Sequence, residues 1–127
     1  MFELKVKTRF AAAHQLRMVG EKCENLHGHN WNIEVYVTGE KLDEAGVLID
    51  FGILKGHVAA IMKTLDHKFL NELDFFPEGV QPSSENIAVY IATNLQTRLN
   101  DYRIQVARVT AWESENAAAT YIVPQAA

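Results

Sequence analysis

Two runs of apolar–polar alternation near the N-terminus commit this chain to a fold built on long paired strands. Phe2, Leu4, Val6, Thr8, Phe10, Ala12 and His14 recur at every second position, the period of a strand with one buried face. A second run, from about His27 to Gly39, repeats the pattern with His27, His29, Trp31, Ile33, Val35 and Val37. Paired as neighbours, the two strands bring their connected ends side by side, and His14 to the His27/His29 pair. In both strands a histidine ends the apolar face, where a pocket half sheltered from water can be built.

The rest of the chain reads as two helices and two more strands. Leu54, Val58, Ile61, Met62 and Leu65 recur at three and four, which predicts a helix ending near Leu65, with Asp50 as its N-cap. Asp66 and His67 fall in the turn that follows. After a loop over 74–82, Ser83 or Ser84 caps a second helix whose inner stripe is Ile87, Ile91, Leu95 and Leu99. Strands are expected over roughly Ile104–Glu113 and Ala119–Val123. The phase of the first of these reads either way, so periodicity leaves the direction of Glu113 open. The order β-β-α-α-β-β defines an α+β fold, an antiparallel sheet with two helices on one face. Its exposed edges invite pairing with other subunits.

Composition narrows the setting. The 127 residues contain no linker or repeat and are read as one domain, 1–127. A formal net charge of −4 argues against a nucleic-acid partner. The single cysteine cannot form an intrachain disulfide. Alternation of apolar and charged residues at the N-terminus does not fit a signal peptide, and no apolar run approaches the roughly 20 residues of a membrane-spanning helix. A cytoplasmic protein with a small-molecule partner is expected.

The chemistry-bearing residues gather around the histidines. His14, His27 and His29 make a three-imidazole set, standard for a zinc ion that keeps a fourth position open for water or substrate. A lone His-x-His would be a weak signal; a third imidazole in register on the neighbouring strand, beside a thiol, favours a metal. Cys23 has three readings: a fourth ligand closing an inert site, a thiolate base beside the metal, or a small buried apolar residue. The polar residues around it argue against the last. Asp66 beside His67 can orient and charge the imidazole for proton transfer, although such a dipeptide in a turn is more often solvated surface. Glu85 suits the first turn of a helix for electrostatic reasons alone. Glu113 is harder to dismiss, since carboxylates are depleted from strands. A carboxylate there can grip an N–H–C–NH₂ edge through two parallel hydrogen bonds, as on a pterin or guanine-like ring.

Taken together, Phe10-Ala11-Ala12-Ala13-His14, Cys23-Glu24-Asn25-Leu26-His27-Gly28-His29-Asn30, Leu65-Asp66-His67, Pro82-Ser83-Ser84-Glu85-Asn86 and Trp112-Glu113-Ser114 resemble the 6-pyruvoyltetrahydropterin synthase family over nearly the full length. The three residues between Cys23 and His27 resemble its carboxy-forming branch, which serves queuosine biosynthesis. The resemblance implies zinc held by His14, His27 and His29, with Cys23 as the proton-abstracting base. It implies His67, oriented by Asp66, as acid or relay, Glu113 in the same relay and against the pterin, and Glu85 as a further anchor. The implied architecture is the T-fold, in which three subunits close a barrel and two trimers stack into a homohexamer. Its sites lie between subunits. The implied reaction converts 7,8-dihydroneopterin triphosphate to 6-carboxy-5,6,7,8-tetrahydropterin with release of triphosphate and acetaldehyde. Two rivals stand beside it: the same scaffold stopping at triphosphate elimination, to give 6-pyruvoyltetrahydropterin, and a non-catalytic structural zinc module closed by Cys23. Ala11 and Ser114 depart from the residues usual in the family, and both bear on fine binding detail.

Overall fold

The first two strands, β1 (Phe2–His14) and β2 (His27–Gly39), are thirteen residues each. They pair antiparallel without a slip, from Phe2 opposite Gly39 to His14 opposite His27. A computed structural model describes residues 1–16, 27–76 and 80–125, the side chain of His27 excepted. Alternation sorts the two strands as expected. Val6, Phe10, Ala12 and His14 of β1 are buried, as are Trp31, Ile33, Val35 and Val37 of β2.

Helix α1 (Phe51–Leu65) starts where a carboxylate can satisfy a free backbone donor: Asp50 Oδ2 accepts from the Ile53 N–H at 3.2 Å. Helix α2 (Ser84–Leu99) is capped by Ser83, whose Oγ accepts from the Asn86 N–H at 3.1 Å. Their inner stripes are those expected, Leu54 to Leu65 on α1 and Ile87 to Leu99 on α2. Ala88 and Ala92 also lie buried on α2. Both helices pack on one face of the sheet and share its core.

A strand too short for any periodicity adds to the expected order. β3 (Lys68–Phe69) runs parallel to β1, with Lys68 opposite Ala12 and Phe69 opposite Ala13. With β4 (Gln105–Ser114) and β5 (Ala117–Ile122) it makes a mixed sheet of order β3-β1-β2-β4-β5. The fold is therefore the expected α+β arrangement with one short parallel edge. A bulge explains the ambiguous phase of β4. Tyr36 stands opposite Arg108 but Val37 opposite Val106, so Ala107 is an extra residue and the alternation changes parity there. Val106, Val109 and Ala111 all face the core, and the phase after the bulge turns Glu113 to that same side.

The other face of the sheet carries a polar network. Glu34 Oε2 accepts from the Trp112 indole N–H at 2.7 Å, and Lys5 Nζ lies 3.6 Å from Oε1. The Trp112 hydrogen bond, with the nearby lysines, outweighs partial burial and holds the Glu34 carboxyl below its usual range. A lowered folded-state pKa stabilises the fold fully above the ordinary carboxyl pKa, and this contribution is lost as pH falls through the lowered value. Glu34→Gln is expected to cost on the order of 1 kcal/mol at neutral pH. Denaturant titrations of both proteins at stepped acidic pH should show the gap closing. No helix among the described residues is long and apolar enough to cross a membrane.

Candidate active site

The connected ends of β1 and β2 meet the start of α2 and the end of β4. His14 is fully buried there. Its Nδ1 lies 2.8 Å from the Pro82 carbonyl oxygen. A carbonyl can only accept, so Nδ1 carries the proton and the lone pair is left on Nε2. Such a second bond to a histidine fixes both tautomer and ring orientation, as metal-ligating imidazoles require. Beside it, the His29 ring sits edge-on to His14 at 5.2 Å between centroids, and Trp31 stands edge-on to both, at 5.1 Å from His14 and 5.4 Å from His29.

Glu113 enters the same space from β4. Its Oε1 lies 3.0 Å from His29 Nε2, and its Oε2 accepts from the Ser84 hydroxyl at 3.3 Å. One ligand atom from each of His14, His29 and Glu113 falls within 4.8 Å of the others. Two imidazoles and a carboxylate are a donor set suited to zinc, whose borderline character accepts both nitrogen and oxygen. The β1–β2 register puts the His27 backbone opposite His14, while its side chain lies outside the described residues. Cys23 also lies outside them.

Asp66 and His67 hold a different place. Asp66 ends α1, and its Oδ1 accepts from the Ala11 N–H at 2.9 Å. His67 follows in the left-handed region, with φ of 57°, and its N–H donates to the Ala11 carbonyl. This position just past a helix end is usually glycine, because a Cβ is strained there. Strain of this kind concentrates at functional sites. The His67 ring is 83% exposed, with Asp66 Oδ2 3.5 Å from its Nε2. It lines an open groove along Ala11–Ala13 and Gly28–Asn30, and His29 lines that groove too. Glu85 is exposed on the first turn of α2 and lies outside the His14, His29 and Glu113 group.

Two contacts had no signal in the linear pattern. The Pro82 carbonyl and the Ser84 hydroxyl both come from the segment entering α2, where Ser83 and Ser84 read equally well as caps. Ser83 takes the cap, and that leaves Ser84 for Glu113.

A buried imidazole with a fixed tautomer, a second imidazole and a carboxylate, gathered on an α+β sheet with the T-fold's order, form a cluster that could hold a metal ion. The family profile for 6-pyruvoyl tetrahydropterin synthase matches residues 3–123. The chain is 40% identical over 93 residues to the 6-carboxy-5,6,7,8-tetrahydropterin synthase of Synechocystis, spanning 68% of this chain and 69% of that protein. It is 35% identical over 107 residues to the dihydroneopterin monophosphate aldolase of Pyrococcus furiosus, spanning 84% and 85%. The structure superposes on the 6-pyruvoyl tetrahydropterin synthase of Caenorhabditis elegans with a TM-score of 0.83 at 26% identity, covering 97% of this chain and 96% of that one. The chain belongs to the 6-pyruvoyl tetrahydropterin synthase family, a family of enzymes.

Proposed function

We propose that this enzyme converts 7,8-dihydroneopterin triphosphate and water to 6-carboxy-5,6,7,8-tetrahydropterin, triphosphate and acetaldehyde, as a zinc-dependent lyase of queuosine biosynthesis in the cytoplasm. The observation that carries the reading is the convergence of His14, its Nδ1 bonded to the Pro82 carbonyl, on His29 and Glu113 beside a groove that His67 also lines. His14, His27 and His29 would hold the zinc, with His27 as the third ligand so that Glu113, although near enough to ligate, serves the substrate instead. When bound, the ion supplies Lewis acidity toward the oxygens of the substrate side chain.

The other steps belong to the chain's own groups. Cys23 takes the proton from the carbon next to the reacting hydroxyl, and His67, held by Asp66, delivers or relays protons. Glu113 grips the amino-pyrimidine edge of the pterin, Glu85 assists in anchoring it, and the Ser84 hydroxyl keeps one Glu113 oxygen in place. The exposed ring of His67 suits a site completed by a neighbouring subunit, in a homohexamer of two trimers. Residues 1–127 make one domain in this reading.

The 35% identity to a dihydroneopterin monophosphate aldolase favours one second reading, aldol cleavage of a monophosphorylated substrate. The same base and relay would then release a phosphorylated two-carbon aldehyde. Product analysis by mass separates the two. Zinc-loaded enzyme given 7,8-dihydroneopterin triphosphate is expected to yield acetaldehyde and the 6-carboxy product. A pyruvoyl product without acetaldehyde would assign the elimination activity. Turnover of only the monophosphate, with a phosphorylated aldehyde, would assign the aldolase.

A further inference from the structure

Beyond Asp66 and His67 the chain continues along the edge of β1, and its last tie to that strand is a side chain. Asn71 lies in a single 3₁₀ turn, Leu70–Glu72, directly after β3. Its Oδ1 accepts from the Gln15 N–H at 2.9 Å, and its Nδ2 donates to the Gln15 carbonyl at 2.7 Å. A side-chain amide has the donor and acceptor of a peptide unit. Asn71 therefore uses both backbone groups of Gln15 as a paired strand would, after the backbone itself has turned away.

The ties form one ladder. Asp66 Oδ1 and the His67 N–H take the two backbone groups of Ala11, β3 pairs at Ala12 and Ala13, and Asn71 closes at Gln15. His14 lies between the last two ties. It is the final residue of β1, where a strand end otherwise frays.

We propose that Asn71 is a positioning residue, a strand surrogate that clamps the end of β1 and so holds His14 and the Asp66–His67 turn in one frame. The proposal rests on the zinc reading above. It assigns Asn71 no contact with metal or substrate. Its effect runs through preorganisation, since a ligand on a frayed strand must be ordered when the ion binds. Losing a group that orients a metal ligand typically changes metal affinity about 10- to 100-fold, and Asn71 acts one step further out, through the backbone.

The test compares wild type, Asn71→Ala and Asn71→Asp in the full chain. The aspartate keeps the acceptor, loses the donor and sets a carboxylate against the Gln15 carbonyl, so it should behave no better than alanine. Amide hydrogen exchange is expected to quicken in residues 11–16 while α2 stays protected, and competition with a chelator should show zinc affinity lowered about tenfold. Faster exchange with unchanged zinc affinity would overturn the proposal, because the clamp would then be merely structural. Unchanged exchange would overturn it as well. A wild type that binds no zinc would contradict the metal reading itself and take this proposal down with it, an outcome visible before any variant is made.

Discussion

Replacing His14 with alanine is expected to empty the zinc site and to lower turnover about a thousandfold or more. The ring is fully buried, with its Nδ1–H donated to the Pro82 carbonyl and the lone pair carried on Nε2. Lewis acidity supplies several kcal/mol toward the charge that develops in the reaction, and about 1.4 kcal/mol is worth one decade in rate. The substitution also strips the Pro82 carbonyl of its donor and opens a void beside Trp31. A stability loss of roughly 2–4 kcal/mol follows from those two effects. Metal content and turnover should be read together with a denaturant midpoint, at a temperature where the variant is folded. A folded, zinc-free variant that keeps near-normal turnover would remove the metal from the reaction.

The second large effect is expected at Cys23. Cys23→Ala should keep zinc and fold while losing about two to four decades in turnover, the range typical of an excised general base. The contrast with His14→Ala carries the information. A thiolate base leaves the ion in place when removed, whereas a fourth ligand takes affinity and fold with it. The chain has one cysteine, so thiol alkylation is an independent probe of the same residue. Alkylated protein should retain zinc and lose activity in proportion to modification. Loss of zinc with loss of folding in Cys23→Ala would instead assign the closed structural module.

The sheet and its helices were legible in the amino-acid order because their signals are periodic. The period-two runs ending in His14 and beginning at His27 specify a face, and a one-residue slip would have exposed Trp31, Ile33 and Val35. Asp50 marked its cap correctly for a local reason, a carboxylate three residues before the N–H it accepts. Glu113 was not legible in direction, since the extra residue at Ala107 reverses parity within β4 and the linear pattern carries both phases at once. Nor was β3, for two residues have no period. The contacts of His14 with Pro82, of Ser84 with Glu113 and of Asn71 with Gln15 depend on tertiary placement of residues far apart in the chain. No spacing rule encodes them. Cys23 and the His27 side chain fall outside the described residues, so the roles proposed for them come from the chemistry of a thiol and an imidazole in this motif.

X-ray absorption at the zinc edge of the purified, zinc-loaded enzyme tests the central claim most directly. Three imidazoles with an open position should give nitrogen and oxygen scatterers near about 2.0–2.1 Å and the outer-shell pattern of histidine rings, with no sulfur. A sulfur shell at about 2.3 Å would make Cys23 a ligand, close the site and contradict the catalytic account.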